Sequence, residues 1–157
     1  KPYVAIDKLK KRYSNVEWKH PCIYLKNVTF IDTKFDNLVI TYKNEKLVEA
    51  TFTLFDNASV MDNPFKDRAT ILSEAKSKQN QIMNRFTQAF NGLGNAFCSK
   101  YGNPAVSSEG NAIWRDTNSN SITLNVTLNN SQDELGVHFD GILTVTYRTA
   151  TTNNDEF

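Results

Sequence analysis

The chain has 157 residues and a mass of 17.8 kDa, the size of one domain, and its ten Phe and six Tyr exclude a disordered or collagen-like polymer. Hydrophobic residues make up 39% and charged residues 22% of the sequence, so a sizeable core is available. Eighteen Lys and Arg against seventeen Asp and Glu leave a net charge of +1, too small a field to gather phosphate backbones, and nucleic acid is not an expected partner. No run approaches the ~18 apolar residues that span a bilayer, so no transmembrane segment is expected. The sequence begins with Lys1, which leaves open whether a signal peptide or a lipid anchor once preceded it, and with it a peripheral or lipid-anchored association with a membrane.

Residues 1–21 read as an N-terminal arm. Ile6, Leu9 and Tyr13 share one face of a short helix, with Lys8, Lys11 and Arg12 on the other. From Cys22 the period changes to two. Cys22 to Ile31 is one strand, Leu38, Ile40 and Tyr42 mark a second, and Val48, Ala50, Phe52 and Leu54 alternate with Glu49, Thr51 and Thr53 in a third. Asp56 to Asp67 is a polar break in which Asn63-Pro64 suits a turn or a helix start.

Ala75, Ile82, Phe86, Phe90, Leu93, Phe97 and Tyr101 then draw one apolar stripe down a long helix, closed by Gly102-Asn103-Pro104. From Ala69 to Lys100 it would be about 48 Å long, which predicts either an overhang of Ser73 to Gln81 or a bend at Asn91-Gly92-Leu93-Gly94-Asn95. The stripe favours tight packing from Ile82 to Tyr101 and looser packing before it. The two glycines are expected to permit a bend or the close approach of another element.

Ala112-Ile113-Trp114, the run Ile122 to Leu128 and the run Val137 to Arg148 supply three further strands, with Asp140-Gly141 as a candidate bulge. Residues 149–157 form a tail expected to fray. The order three strands, one helix, three strands predicts a single α+β domain over 22–148, an antiparallel sheet of about six strands with the helix on one face. Phe52, Leu54, Phe86, Phe90, Leu93, Phe97, Leu124, Val126 and Val145 are its expected core. Each half is a meander, but their side-chain patterns do not match as a repeat would.

The string Phe97-Cys98-Ser99-Lys100-Tyr101-Gly102-Asn103-Pro104, followed by Trp114-Arg115-Asp116, Ile122-Thr123-Leu124 and Leu143-Thr144-Val145-Thr146-Tyr147, resembles small exported bacterial proteins of the periplasmic or lipoprotein type. The resemblance covers Phe86 to Arg148. It implies a location in the periplasm or cell envelope of a Gram-negative bacterium and carries over no functional residue. In an exported chain Cys22 and Cys98 could form one disulfide, closing a loop of about 76 residues worth about 4 kcal/mol in the chain-entropy model; two free thiols are the alternative.

No catalytic or metal-ligand motif accompanies these elements, and no cofactor is expected. His20 and His138 are the only histidines. His138 and Asp140 fall on one face of a strand about 7 Å apart, a base with an orienting acid, yet no nucleophile motif goes with them. Cys98 lies near a helix C-terminus, where the dipole disfavours a thiolate. Lys8, Lys10, Lys11 and Arg12 read as a solvated face, and Trp18 and Trp114 as core or as stacking platforms. The expected function is a non-catalytic exported binding or adaptor domain for a protein or small ligand. The alternatives are a small-molecule carrier using a cavity between helix and sheet, where bulky residues such as Phe86 and Phe90 would have to leave space, and a hydrolase without a recognisable motif.

Overall fold

Two helices and eight strands form in the computed structural model, which describes residues 1–133 and 136–150. Helix α1 (Pro2–Lys10) is followed by β1 (Val16–Lys19), β2 (Cys22–Phe30), β3 (Thr33–Lys43) and β4 (Lys46–Met61). Helix α2 (Arg68–Tyr101) then precedes β5 (Val106–Ser108), β6 (Asn111–Arg115), β7 (Ser121–Asp133) and β8 (Gly136–Arg148). The strands make one antiparallel sheet in the order β1-β2-β3-β4-β8-β7-β6-β5.

The α+β class and the long helix agree with the sequence pattern; the strand count and order do not. The sheet has eight strands rather than about six, because the two outermost are too short to show a period. β1 has four residues, inside the segment read as an arm, and β5 has three, all exposed. Each half is a helix followed by a four-stranded meander, and the halves join through the antiparallel pair β4 and β8. Asp140-Gly141 is not a bulge: β8 runs in unbroken register with both neighbours. Instead Gly141 lets a ring approach, since a Cβ there would lie 2.8 Å from Phe86 Cε2.

β4 continues to Met61, through Asp56-Asn57-Ala58-Ser59, which the composition marks as a polar break. Its extension is dictated by β8, which pairs with it from Glu49↔Arg148 to Met61↔Gly136. The sheet thereby gains length. Sixteen residues of strand span about 53 Å, and the 34 residues of α2 about 51 Å, so the strand is long enough to underlie the whole helix. Its first turns are packed as well, with Ile71 and Ala75 buried. The start is set at Asp67, whose side chain accepts hydrogen bonds from Thr70 N (2.8 Å) and Thr70 Oγ1 (2.9 Å), and these bonds hold its carboxyl below the ordinary carboxylate range. Asn63-Pro64 makes only the preceding turn, where the Asn63 side chain accepts from Phe65 N.

Both helices cover the same sheet face. Phe86, Leu93 and Phe97 of α2 pack in one cluster with Leu54, Val60, Trp114, Leu124, Leu143 and Val145 of the sheet, while Ile6 of α1 sits on Ile23, Leu25, Val28 and Leu38. Phe52 borders both clusters. Of the expected core, Phe52, Phe90 and Val126 are only half-buried. The opposite face is open and lined in register by Thr51, Thr146 and Thr123, then by Thr53, Thr144 and Asn125. Thr149 donates to the carbonyls of Leu47 and Val48 and Ala150 N to Asn120 Oδ1, so these two tail residues are held; 151–157 lie outside the described residues.

Gly92 and Gly94 lie within one continuous helix and admit no close neighbour: nothing lies within 4 Å of a Cβ built on either. Each glycine therefore costs helix propensity without a packing return. Gly92→Ala and Gly94→Ala are each expected to raise stability by up to about 1 kcal/mol, read as a higher denaturation midpoint at constant slope. A lower midpoint in either variant would show a packing role at that position.

Candidate functional site

Because α1 covers β1 to β3 and α2 covers the central strands, a groove opens between the two clusters near the C-terminal end of α2. Its walls are Phe30 at the end of β2, Phe52 and Leu47 of β4, Ala96, Phe97, Lys100 and Tyr101 of α2, Ile122 of β7, and Val145 and Tyr147 of β8. The groove is open to solvent along one side and has a volume of about 730 Å³, within the usual range for small-molecule sites.

Local sequence explains each wall. The Ile31-Asp32 turn, with φ of 47° and 58°, ends β2 and leaves Phe30 stacked on Phe52 at 4.7 Å. A register shift between Thr41 and Tyr42 sets Leu47 opposite Tyr42, which turns Leu47 to the helix side. Gly102 closes α2 at φ 79°, its N–H bonded to Cys98 O, and Trp114 Nε1 donates to Gly102 O at 3.1 Å, which ties the helix end to β6. Phe97 touches Phe30, Tyr101 and Trp114 at ring distances of 6.3, 6.5 and 5.3 Å.

Lys100 is the one charged side chain lining the groove, exposed at its rim with Nζ 5.2 Å from the Tyr101 ring centre. It makes no ion pair among the described residues. The chemistry offered is an apolar slot with one cation and two phenols, Tyr101 and Tyr147, at its edge. Comparison of the chain with protein-family models, with curated proteins and with solved structures finds no match in any of the three.

The residues singled out from sequence are scattered. Cys22 lies on the open face, 3.6 Å from Thr41 Oγ1, while Cys98 belongs to α2 and packs against the core on the other face; both are free thiols, not joined to one another. His138 does not pair with Asp140, which accepts instead from Asn129 Nδ2. His138 Nδ1 lies 3.0 Å from Ser59 Oγ and Nε2 3.2 Å from Asp133 Oδ1, a Ser-His-Asp chain across β4, β8 and β7. None of the described cavities includes Ser59 or His138, Lys78 Nζ donates to Ser59 O at 2.8 Å, and the chain of contacts ties three strands together.

Trp114 is buried and serves the helix end. Trp18 is partly exposed among Tyr3, His20 and Tyr42, and burial pushes the Tyr42 phenol up from its ordinary range. Lys8, Lys10, Lys11 and Arg12 are exposed, as expected. No group of three or more possible metal ligands and no helix long and apolar enough to cross a membrane occurs among the described residues.

Neither Phe86, which is 0% exposed, nor Phe90 lines any of the described cavities. The opening lies three turns further along α2. Lys100-Tyr101 marked only a helix end in the sequence, and nothing local signals that Phe30 and Phe52 face it.

Proposed function

We propose that the chain is a non-catalytic binding domain that holds a small amphipathic molecule, its apolar body against Phe30, Phe52 and Phe97 and an anionic head on Lys100. The observation that carries this reading is the apolar groove of about 730 Å³ whose single lining charge, Lys100, has no ion-pair partner among the described residues. Burial of a chain against aromatic walls supplies affinity, and a charge-assisted bond at the rim supplies orientation. Export to a bacterial envelope belongs to the same proposal and rests on the resemblance over Phe86 to Arg148.

Calorimetric titration with dodecanoate below its micelle-forming concentration tests the groove, with dodecyltrimethylammonium as the charge control. Dodecanoate is expected to bind saturably at one site and the cationic amphiphile more weakly. Lys100→Glu should weaken dodecanoate by roughly tenfold or more, the scale of one charge-assisted contact. Ala96→Trp, which fills the groove from its rim, should abolish binding of both. Equal affinity for the two head groups would remove the role given to Lys100, and no binding of either would remove the ligand class.

A further inference from the structure

Among the described residues, β7 has no strand partner along half of its β6 side. It pairs with β8 along its whole length, from Ser121↔Arg148 to Asp133↔Gly136, but with β6 only from Ser121 to Asn125. One more bond, from Val126 N to Gly110 O, closes the β6 side. Beyond it Thr127 to Asp133 are all exposed. Because Val126 aims its N–H away from β8, alternation aims the N–H and C=O of Leu128, Asn130 and Gln132 the same way. Three donors and three acceptors thus form a straight lateral edge.

Sheet edges are ordinarily protected by Lys, Pro, a bulge or a covering loop. Thr127-Leu128-Asn129-Asn130-Ser131-Gln132 contains no charge and no Pro, and the β7–β8 register has no bulge. Beside this edge, on the helix face, Leu128 and Met83 are 44% and 42% exposed and line one small hollow with Ile82 and Phe139. An uncharged ladder flanked by exposed apolar groups is the composition of an interface core, where charges are depleted.

We propose that β7 pairs antiparallel with β7 of a second copy of this chain, with Asn130 on the two-fold axis. The edge is self-complementary in that register. Asn130 faces Asn130 of the second copy and Leu128 faces Gln132, so each copy's three outward residues meet three of the other in hydrogen-bonded pairs. No like charges oppose: Asp133 meets Thr127. The step left where β6 stops accommodates the paired segment, and the two sheets continue as one. Leu128 and Met83 of both copies flank the axis on the helix side. A seven-residue pairing is smaller than a standard stable interface, so association is expected to depend on concentration. The pairing is independent of the groove beside Lys100.

Sedimentation equilibrium of the wild-type chain between about 10 µM and about 1 mM reads it. The apparent mass should rise from 17.8 kDa toward twice that value. Asn130→Lys places like charges on the axis and should weaken association by roughly tenfold or more. An equimolar mixture of Asn130→Lys and Asn130→Glu should restore it. Asn130→Pro removes an outward donor without touching the bonds to β8 and should weaken association too, with the monomer's far-UV spectrum unchanged. A wild-type chain that stays at one copy throughout overturns the proposal. So does association that Asn130→Lys leaves intact, or a charge-paired mixture that fails to associate.

Discussion

Replacing Phe86 by alanine is expected to destabilise the fold by about 3 to 5 kcal/mol, a large part of the stability of a domain this size. The ring is fully buried, midway along α2, and lies against the backbone of β8 at Gly141, where a Cβ would stand 2.8 Å from it. The site cannot collapse around the lost ring. Its floor is the central strand of a sheet paired on both sides, and its roof is a helix held at both ends by Ile71 and Ala75 and by Leu93 and Phe97. The cost therefore includes the cavity as well as the lost transfer energy. Phe90→Ala should cost clearly less, because that ring is half-exposed. Urea denaturation followed by tryptophan fluorescence measures both, and equal midpoints for the two variants would overturn the helix orientation.

These two phenylalanines show where sequence reasoning stops. A stripe with spacings of three, four and seven identifies the buried arc of α2 but not its centre, and Phe86 and Phe90 both fall inside it. Only the position of Gly141 beneath one of them decides which ring is the anchor. In β2 the alternation is broken: Ile23, Leu25 and Val28 are all buried on one face, although the last is out of phase with the others. Asn27, at φ 54°, reverses the phase, and an asparagine in the left-handed region leaves little trace in a hydrophobicity pattern.

Pairing partners hid the remainder of the sheet. Asp56 to Ser59 have poor intrinsic strand preference and are strand because β8 lies beside them. β1 and β5 are fragments that exist only as edges. The groove was hidden for the same reason, since Phe30, Phe52 and Phe97 come from three elements whose closeness depends on strand order. Val48 to Leu54, Ile122 to Val126 and the stop at Gly102 were readable because local preference and final environment agree there.

Gly136→Ala is the second substitution expected to be severe, at about 2 to 5 kcal/mol, from positive-φ strain and overpacking together. Gly136 opens β8 at φ 147°, and a Cβ on it would lie 2.1 Å from Val60 O and 2.9 Å from Met61 Cα. Both obstacles are backbone, so no rotamer change relieves them. The start of β8 would have to leave β4, which undoes Met61↔Gly136 and Val60↔Val137 and then the contact of His138 with Ser59. Gly102→Ala is the control that separates the two causes. It also has positive φ, 79°, but nothing lies within 4 Å of its Cβ, so it should cost only about 1 kcal/mol. Hydrogen exchange should show the Gly136 variant losing protection at the far ends of β4 and β8 while Leu54 and Leu143 keep theirs. If the two glycine variants destabilise equally, contact with Val60 is not what fixes Gly136, and the strain of its backbone alone accounts for the loss.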